Sequence, residues 1–255
     1  MPKELESKTA LVTGGGRGIG KAIALRLAAS GALVAVNYAH NSAAASQTVA
    51  AIEASGGDAF AIRMTLGTES AARELAAKAC AELKRRRGTE RIDIIVNNIG
   101  GGDYARLTDV SEEQYDRLMS NNCRGAFFVV KAFYDRLNDN GRVINISSVG
   151  ARLTDPNIIV YTMAKAAIEA FTRVLAAELG PRGITVNAVG PGFTAGETNQ
   201  HVVDDPTMSR MVIDNTALRR FGQPEEIADV VHALASSAGR WITAQTIDAS
   251  GGFKL

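Results

Sequence analysis

Short apolar runs alternate with longer segments of helical periodicity along the whole chain. The apolar runs predict strands at 9–13, 33–36, 59–64, 92–97, 142–146, 184–188 and 246–248. The periodic segments predict helices at about 21–30, 43–54, 69–86, 111–137, 161–179 and 224–235. Strands that alternate with helices favour a parallel sheet covered on both faces. We therefore expect an α/β fold, a single Rossmann-type domain over residues 1–255 with a doubly wound parallel sheet.

Composition and charge narrow the class of protein. The chain has 255 residues and a net charge of +1, which gives no reason to expect nucleic acid or a membrane surface as a partner. No apolar run is long enough for a membrane span, and the charged N-terminus does not resemble a signal peptide. Two isolated cysteines imply no disulfide framework, and three scattered histidines imply no metal site. We expect a cytoplasmic protein that binds no metal.

A glycine-rich turn follows the first predicted strand. Gly14, Gly18 and Gly20 lie between that strand and a helix. Glycine lets backbone approach a pyrophosphate, and the start of the helix offers free N–H groups. The spacing differs from the usual dinucleotide fingerprint, so this turn alone indicates only a phosphate-binding loop.

Tyr161 and Lys165 are spaced four residues apart on a predicted helix and so share one face. A nearby ammonium lowers the pKa of a phenol, so we expect Lys165 to lower that of Tyr161. Such a pair can move a proton to or from a carbonyl or alcohol oxygen.

These motifs occur in one order, each at a strand end: Thr13–Gly20, Asn97–Gly100, Asn122, Ser148, Tyr161 with Lys165, and Pro191-Gly192. Together they resemble the short-chain dehydrogenase/reductase superfamily, over essentially the whole chain. Within it, the chain looks most like 3-oxoacyl-[acyl-carrier-protein] reductases and related carbonyl reductases. The resemblance implies that Ser148 binds the substrate oxygen and Tyr161 supplies the proton. It implies that Lys165 holds the nicotinamide ribose and that Asn122 holds a water connecting Lys165 to solvent.

The second predicted strand ends without the acidic residue that would bind the ribose 2′-OH of NAD. Arg17 lies where NADP-preferring relatives often carry a basic residue, and His40 adds a possible donor. We therefore expect NADP(H), with dual use open. The resemblance places the cofactor against Gly14, Arg17, Gly18, Ile19, Gly20, Asn37, Tyr38, His40, Thr65, Leu66, Asn98, Gly100, Tyr161, Lys165, Pro191, Gly192 and Thr194.

The segment 193–215 follows Pro191-Gly192, where relatives carry a substrate lid. Its Met208 and Met211 have helical spacing, which is more typical of core than of a substrate wall. The substrate is expected to be a small ketone, free or as a 3-oxoacyl thioester. Arg182 occupies the place of a carrier-protein docking arginine, but the loop 137–141 lacks basic residues, which favours a free ketone or smaller thioester.

Two other functions stay open. One is NAD(P)-dependent oxidation of a secondary alcohol or sugar, and the other is a non-catalytic nucleotide-binding regulator. The resemblance also implies a homotetramer assembled through helices at about 111–137 and 161–179 and the C-terminal strand.

Overall fold

A computed structural model describes residues 3–254 and contains one parallel sheet of seven strands. The strands are β1 (Thr9–Val12), β2 (Leu33–Tyr38), β3 (Asp58–Arg63), β4 (Ile92–Asn97), β5 (Leu137–Ile146), β6 (Thr185–Pro191) and β7 (Thr246–Ala249). Their order in the sheet is β3-β2-β1-β4-β5-β6-β7, and every pairing is parallel. The central strands β1 and β4 are fully buried, as expected for strands covered on both faces.

Nine α-helices connect and cover the strands within the described part of the chain. They are α1 (Gly18–Ala29), α2 (Ser42–Ala54), α3 (Glu69–Arg87), α4 (Glu112–Met119), α5 (Gly125–Phe133), α6 (Ile159–Leu179), α7 (Gln200–Asp204), α8 (Pro206–Asp214) and α9 (Pro224–Ala235).

Two hydrophobic cores lie on opposite faces of the sheet. Ile23 of α1 and Val231 of α9 belong to one core, while Leu75 of α3, Phe133 of α5 and Leu179 of α6 belong to the other. The predicted α/β fold with a doubly wound parallel sheet is therefore confirmed.

Two predicted elements differ in detail. The helix predicted over 111–137 is interrupted by a π-helical turn at Ser120–Arg124 and ends in a short 3-10 turn before β5. Strand β5 begins at Leu137, five residues before the predicted start, and its pairing with β4 shifts register between Ile92 and Ile94. Gly141 and the polar residues Asn138–Asn140 hid this first part of the strand from the hydrophobic pattern.

The segment 193–215 contains the short helices α7 and α8. Val202 and Val212 are buried, whereas Met208 and Met211 are partly exposed. The methionines are thus not core residues, which corrects the preference drawn from their spacing.

The sheet order reverses between β1 and β4, because the chain first builds outward to β3 and then returns to the other side of β1. Ligands of such sheets bind in the crevice beyond the carboxyl ends of the strands at this point. Among the helices of residues 3–254, none is both long and apolar enough to cross a membrane.

Candidate active site

The glycine turn lies directly at the reversal point. Helix α1 begins at Gly18, three residues earlier than predicted, so two of the motif's glycines belong to its first turn. A Cβ on Gly20 would lie 2.2 Å from the Gly14 carbonyl oxygen, which only glycine permits. On Gly18, at φ +50°, a Cβ would meet nothing within 4 Å, so this backbone faces open space. The turn is tightly packed at Gly20 and open at Gly18, so it leaves room for a pyrophosphate at the start of α1.

Asn98 fixes the turn from the end of β4. Its Nδ2 donates to the carbonyl oxygens of Thr13 at 3.0 Å and Gly14 at 3.3 Å, and its backbone N–H donates to the Thr13 hydroxyl at 2.9 Å. Asn98 therefore joins the ends of β1 and β4 and sets the shape of the turn.

Tyr161 lies at the start of α6, against the loop that follows β5. A Cβ on Gly150 would lie only 2.8 Å from Cε1 of the Tyr161 ring, so glycine admits the ring at this position. The Ser148 hydroxyl accepts a hydrogen bond from the Gly150 N–H at 3.0 Å. Thr162 donates to the Gly150 carbonyl at 2.9 Å, which joins α6 to this loop. The loop thus holds the Ser148 and Tyr161 hydroxyl groups side by side.

Lys165 is 3% exposed, and its Nζ donates to the Ile146 carbonyl at 2.9 Å. The same Nζ lies 5.7 Å from the centre of the Tyr161 ring. One side of the phenol therefore faces an ammonium, as the spacing of the pair predicts.

Asn122 is 2% exposed and lies in the π-helical turn between α4 and α5. Its Nδ2 donates to the carbonyls of Leu118 and Gly101, both at 2.9 Å, and its Oδ1 accepts from the Gly101 N–H at 3.1 Å. The π turn therefore aims the amide at the loop after β4, a use typical of such bulges at functional sites.

The titration of the pair differs from the prediction. Burial raises the pKa of the Tyr161 phenol; a hydrogen bond with Ser148 opposes the rise, and the neighbouring Tyr104 phenol adds to it. Burial of Lys165 lowers its pKa to about 8. The expectation of a lowered tyrosine pKa is therefore wrong for this structure, because removal of the phenol from water outweighs the opposing hydrogen bond with Ser148.

The remaining predicted cofactor residues occupy different positions around the crevice. The Asn37 side chain is buried and donates to the Ile62 and Met64 carbonyls of the β3 segment, while its backbone carbonyl accepts from Gly15 of the turn. Leu66 is buried in a core, which leaves its backbone for contact. Ile19 lies in the first turn of α1. The others lie at strand ends or in the loops after them: Tyr38, His40, Thr65, Gly100, Pro191, Gly192 and Thr194.

Arg17 precedes α1 and is exposed. Its guanidinium forms an ion pair of 3.2 Å with Glu197, at the start of the segment 193–215. Sequence reasoning missed this contact, because no local pattern relates residues so far apart.

Two further residues were not anticipated. Ser147, the neighbour of Ser148, is buried and donates to the Glu169 carboxylate of α6 at 2.8 Å. Tyr104, in the loop after the glycines 100–102, is 59% exposed and lies near enough to the Tyr161 phenol to raise its pKa. A Ser-Ser pair and a single tyrosine in a loop are too common in sequences to predict these contacts.

Comparison with known proteins agrees with this geometry. Residues 14–254 match the family model described as enoyl-(acyl carrier protein) reductase. The chain is 39% identical to versicolorin reductase 1 of Aspergillus parasiticus, over 97% of each protein. It is 38% identical to a 3-oxoacyl-[acyl-carrier-protein] reductase of Synechocystis, over 98% of each.

A solved structure gives the same picture. The angucycline C-6 ketoreductase LanV, crystallised with bound NADP, superposes with a TM-score of 0.94 at 40% identity, covering 99% of this chain and 97% of LanV. With the motifs at the carboxyl edge of the sheet and matches over nearly the whole length, the chain belongs to the short-chain dehydrogenase/reductase family.

Proposed function

We propose that this protein is an NADPH-dependent ketoreductase that converts a ketone to a secondary alcohol. The observation that carries the proposal is the convergence of the Ser148 and Tyr161 hydroxyls and the buried Lys165 ammonium next to the loop after β4. Two hydroxyl donors that point at one position can stabilise the negative charge that grows on a carbonyl oxygen during reduction.

Each residue has one part in this reaction. The bound cofactor supplies the hydride. Ser148 orients the substrate oxygen by a hydrogen bond, and Tyr161 gives that oxygen a proton. Because burial raises the pKa of Tyr161, its phenol stays protonated at neutral pH and can act as the acid. Alcohol oxidation needs the deprotonated phenol, so the raised pKa moves that reaction to higher pH and leaves Tyr161 as an acid for ketone reduction at neutral pH.

Lys165 and Asn122 support the donor. Lys165 carries three N–H donors and has one carbonyl acceptor, Ile146, among the residues of 3–254, which leaves donors for the hydroxyls of a ribose. Asn122 holds the loop beside Lys165 through Gly101. We infer that this arrangement keeps the ammonium next to the cofactor and resupplies Tyr161 with a proton.

NADP(H) is the proposed cofactor. The segment from Tyr38, the last residue of β2, to Ser42 contains no acidic residue, and LanV was crystallised with NADP. The glycine turn offers the start of α1, with no side chain capping its N–H groups, to the pyrophosphate.

The site favours a free ketone with an apolar body. The guanidinium of Arg182, the candidate carrier-protein contact, donates instead to Asp139 and to the carbonyls of Tyr134 and Leu137. A side chain already bonded in this way is poorly placed to bind an acidic carrier. Tyr104 on one side and Met208 on the segment 193–215 expose apolar surface, so we propose that this segment is a lid that closes over the substrate.

A panel of cyclic and linear ketones, 3-oxoacyl thioesters, alcohols and sugars, assayed with NADPH and NADH, tests the proposal. We expect NADPH-dependent ketone reduction, and Tyr161→Phe should lower kcat by roughly 10²–10⁴-fold without loss of NADPH binding. Unchanged turnover in that variant would exclude Tyr161 as the proton donor. Alcohol oxidation that exceeds ketone reduction at neutral pH would favour the dehydrogenase alternative.

We also propose assembly as a homotetramer. Phe127 of α5 and Val174 of α6 are exposed apolar residues, and β7 has an open edge. Such surfaces are suited to contact with further copies of the chain. Sedimentation equilibrium tests the assembly, and a monomeric mass at micromolar concentration would contradict it.

A further inference from the structure

Arg63 ends β3 and reaches across to the end of β2. In the parallel pairing of these strands, Arg63 lies opposite Tyr38. Its Nε donates to the Ala39 carbonyl, the residue directly after β2, at 3.3 Å. The guanidinium is therefore held against the loop 39–41, although its Cα belongs to the neighbouring strand.

In this type of fold, the loop after the second strand contacts the adenosine ribose. In dinucleotide-binding sheets, the residue after the second strand contacts the ribose 2′ position, and a nearby arginine accommodates a 2′-phosphate. The loop is also close to the glycine turn, because a Cβ on Gly16 would lie 3.3 Å from the Ala45 backbone nitrogen in the first turn of α2. Asn41 fixes the loop by accepting a hydrogen bond from Ala44 at 3.0 Å. Arg63 thus brings a charge to a position already shaped for the ribose.

The two arginines near the cofactor crevice differ in what they already bind. Arg17 forms an ion pair with Glu197, whose carboxylate would compete with a phosphate. Arg63 is exposed, and within residues 3–254 its guanidinium bonds the Ala39 carbonyl and forms no ion pair with a carboxylate. Its Nε uses one of five N–H donors, so both Nη groups can bind phosphate oxygens.

From these contacts we propose that Arg63 binds the adenosine 2′-phosphate of NADP(H) and determines the preference for the phosphorylated cofactor. The inference rests on the proposed function, since it concerns the cofactor named there. It goes beyond that proposal by assigning the preference to a residue of β3, outside every motif of the sequence.

The test compares Arg63→Gln with wild type by direct titration of NADPH and NADH, using isothermal calorimetry. A charge-assisted phosphate contact should make NADPH bind about tenfold or more weakly in the variant, while the Kd for NADH stays within about twofold. Arg91→Gln is the matched control. It also removes an exposed arginine, but at the opposite, amino-terminal edge of the sheet before β4, and it should change neither Kd.

Two probes make the result specific. Adenosine 2′,5′-bisphosphate should lose affinity in Arg63→Gln, whereas 5′-AMP should not, because only the first carries the 2′-phosphate. Arg63→Lys keeps the charge and should recover part of the loss. An unchanged NADPH Kd, or an equal loss for NADPH and NADH, would overturn the role of Arg63.

The design separates this inference from the proposed function. If wild type reduces ketones with NADPH but Arg63→Gln keeps the same cofactor preference, only the inference fails. If wild type binds NADH more tightly than NADPH, the cofactor assignment fails and the inference fails with it.

Discussion

Replacing Gly100 by alanine tests how tightly the fold positions Asn122 and Lys165, the residues proposed to support proton transfer. A Cβ on Gly100 would lie 2.6 Å from Oδ1 of Asn122 and 2.9 Å from Nζ of Lys165, whereas ordinary contacts begin at 3.4 Å. Asn122 would have to move by about 0.8 Å and Lys165 by about 0.5 Å to reach an ordinary contact distance. Both side chains are buried, so neither has free space into which to withdraw.

The expected cost follows from these displacements. A misplacement of about 1 Å in a catalytic constellation lowers turnover by about 10²-fold. Asn122 would also strain its hydrogen bonds to Gly101, and a buried amide left without a partner costs about 1–3 kcal/mol of folding stability. We therefore expect kcat to fall by about two orders of magnitude, with a smaller loss of thermal stability.

The neighbouring glycine provides the matched control. A Cβ on Gly101 would meet nothing within 4 Å, and its backbone is not left-handed, so Gly101→Ala adds the same methyl group without a clash. The assay follows NADPH absorbance with any ketone that wild type reduces, together with thermal melts by circular dichroism. Equal kcat for Gly100→Ala and Gly101→Ala, within about twofold, would refute the reasoning, because the added methyl would then displace neither Asn122 nor Lys165.

Three further predictions concern packing, charge and assembly. Gly20→Ala places a Cβ 2.2 Å from the Gly14 carbonyl oxygen and should destabilise the fold by about 1–3 kcal/mol, measured by urea unfolding; a wild-type midpoint would contradict the packing argument. Lys165→Met should be more stable than wild type by about 3 kcal/mol below pH 8, where folded wild type buries an ammonium. This difference should shrink as the pH rises from 8 to 10.5, because wild type then releases the Lys165 proton on folding. A pH-independent difference between the two melts would show that the buried charge is not its cause. Trp241 is the single tryptophan and is 96% exposed. Assembly through β7, which follows it in the chain, should bury it and shift its fluorescence emission to shorter wavelength as protein concentration rises. Constant emission across a monomer–tetramer transition would place the interface elsewhere.

The sequence pattern predicts the fold well because the central strands are buried on both faces. The continuous apolar run Leu33–Val36, for example, is buried throughout, as a strand covered on both faces requires. The pattern is weaker where polar residues continue an element. The first half of β5 and the π-helical turn at Asn122 depend on pairing and on contacts with the loop after β4, which no local periodicity reports.

The candidate site likewise has features that the local sequence predicts and features that it does not. Tyr161 and Lys165 lie one helical turn apart, so spacing alone predicts their contact. The direction of the Tyr161 pKa shift could not be predicted from spacing. It depends on burial, on the loop at Gly150 and on the charge interaction with the Tyr104 phenol, and neither Gly150 nor Tyr104 belongs to α6. Sequence spacing predicts which side chains come into contact, whereas their exposure to solvent depends on the surrounding structure.

That distinction explains why the motif alone leaves the direction of catalysis open. The same four side chains serve reduction when the phenol holds its proton and oxidation when it does not. In this chain burial raises the pKa of Tyr161 and lowers that of Lys165 to about 8, so both groups are shifted toward their neutral forms. A neutral phenol beside a lysine that gains or loses its proton near the working pH is suited to donate a proton and then recover it. The burial of the pair, more than its spacing, therefore keeps Tyr161 in the acid form that the proposed ketone reduction needs at neutral pH.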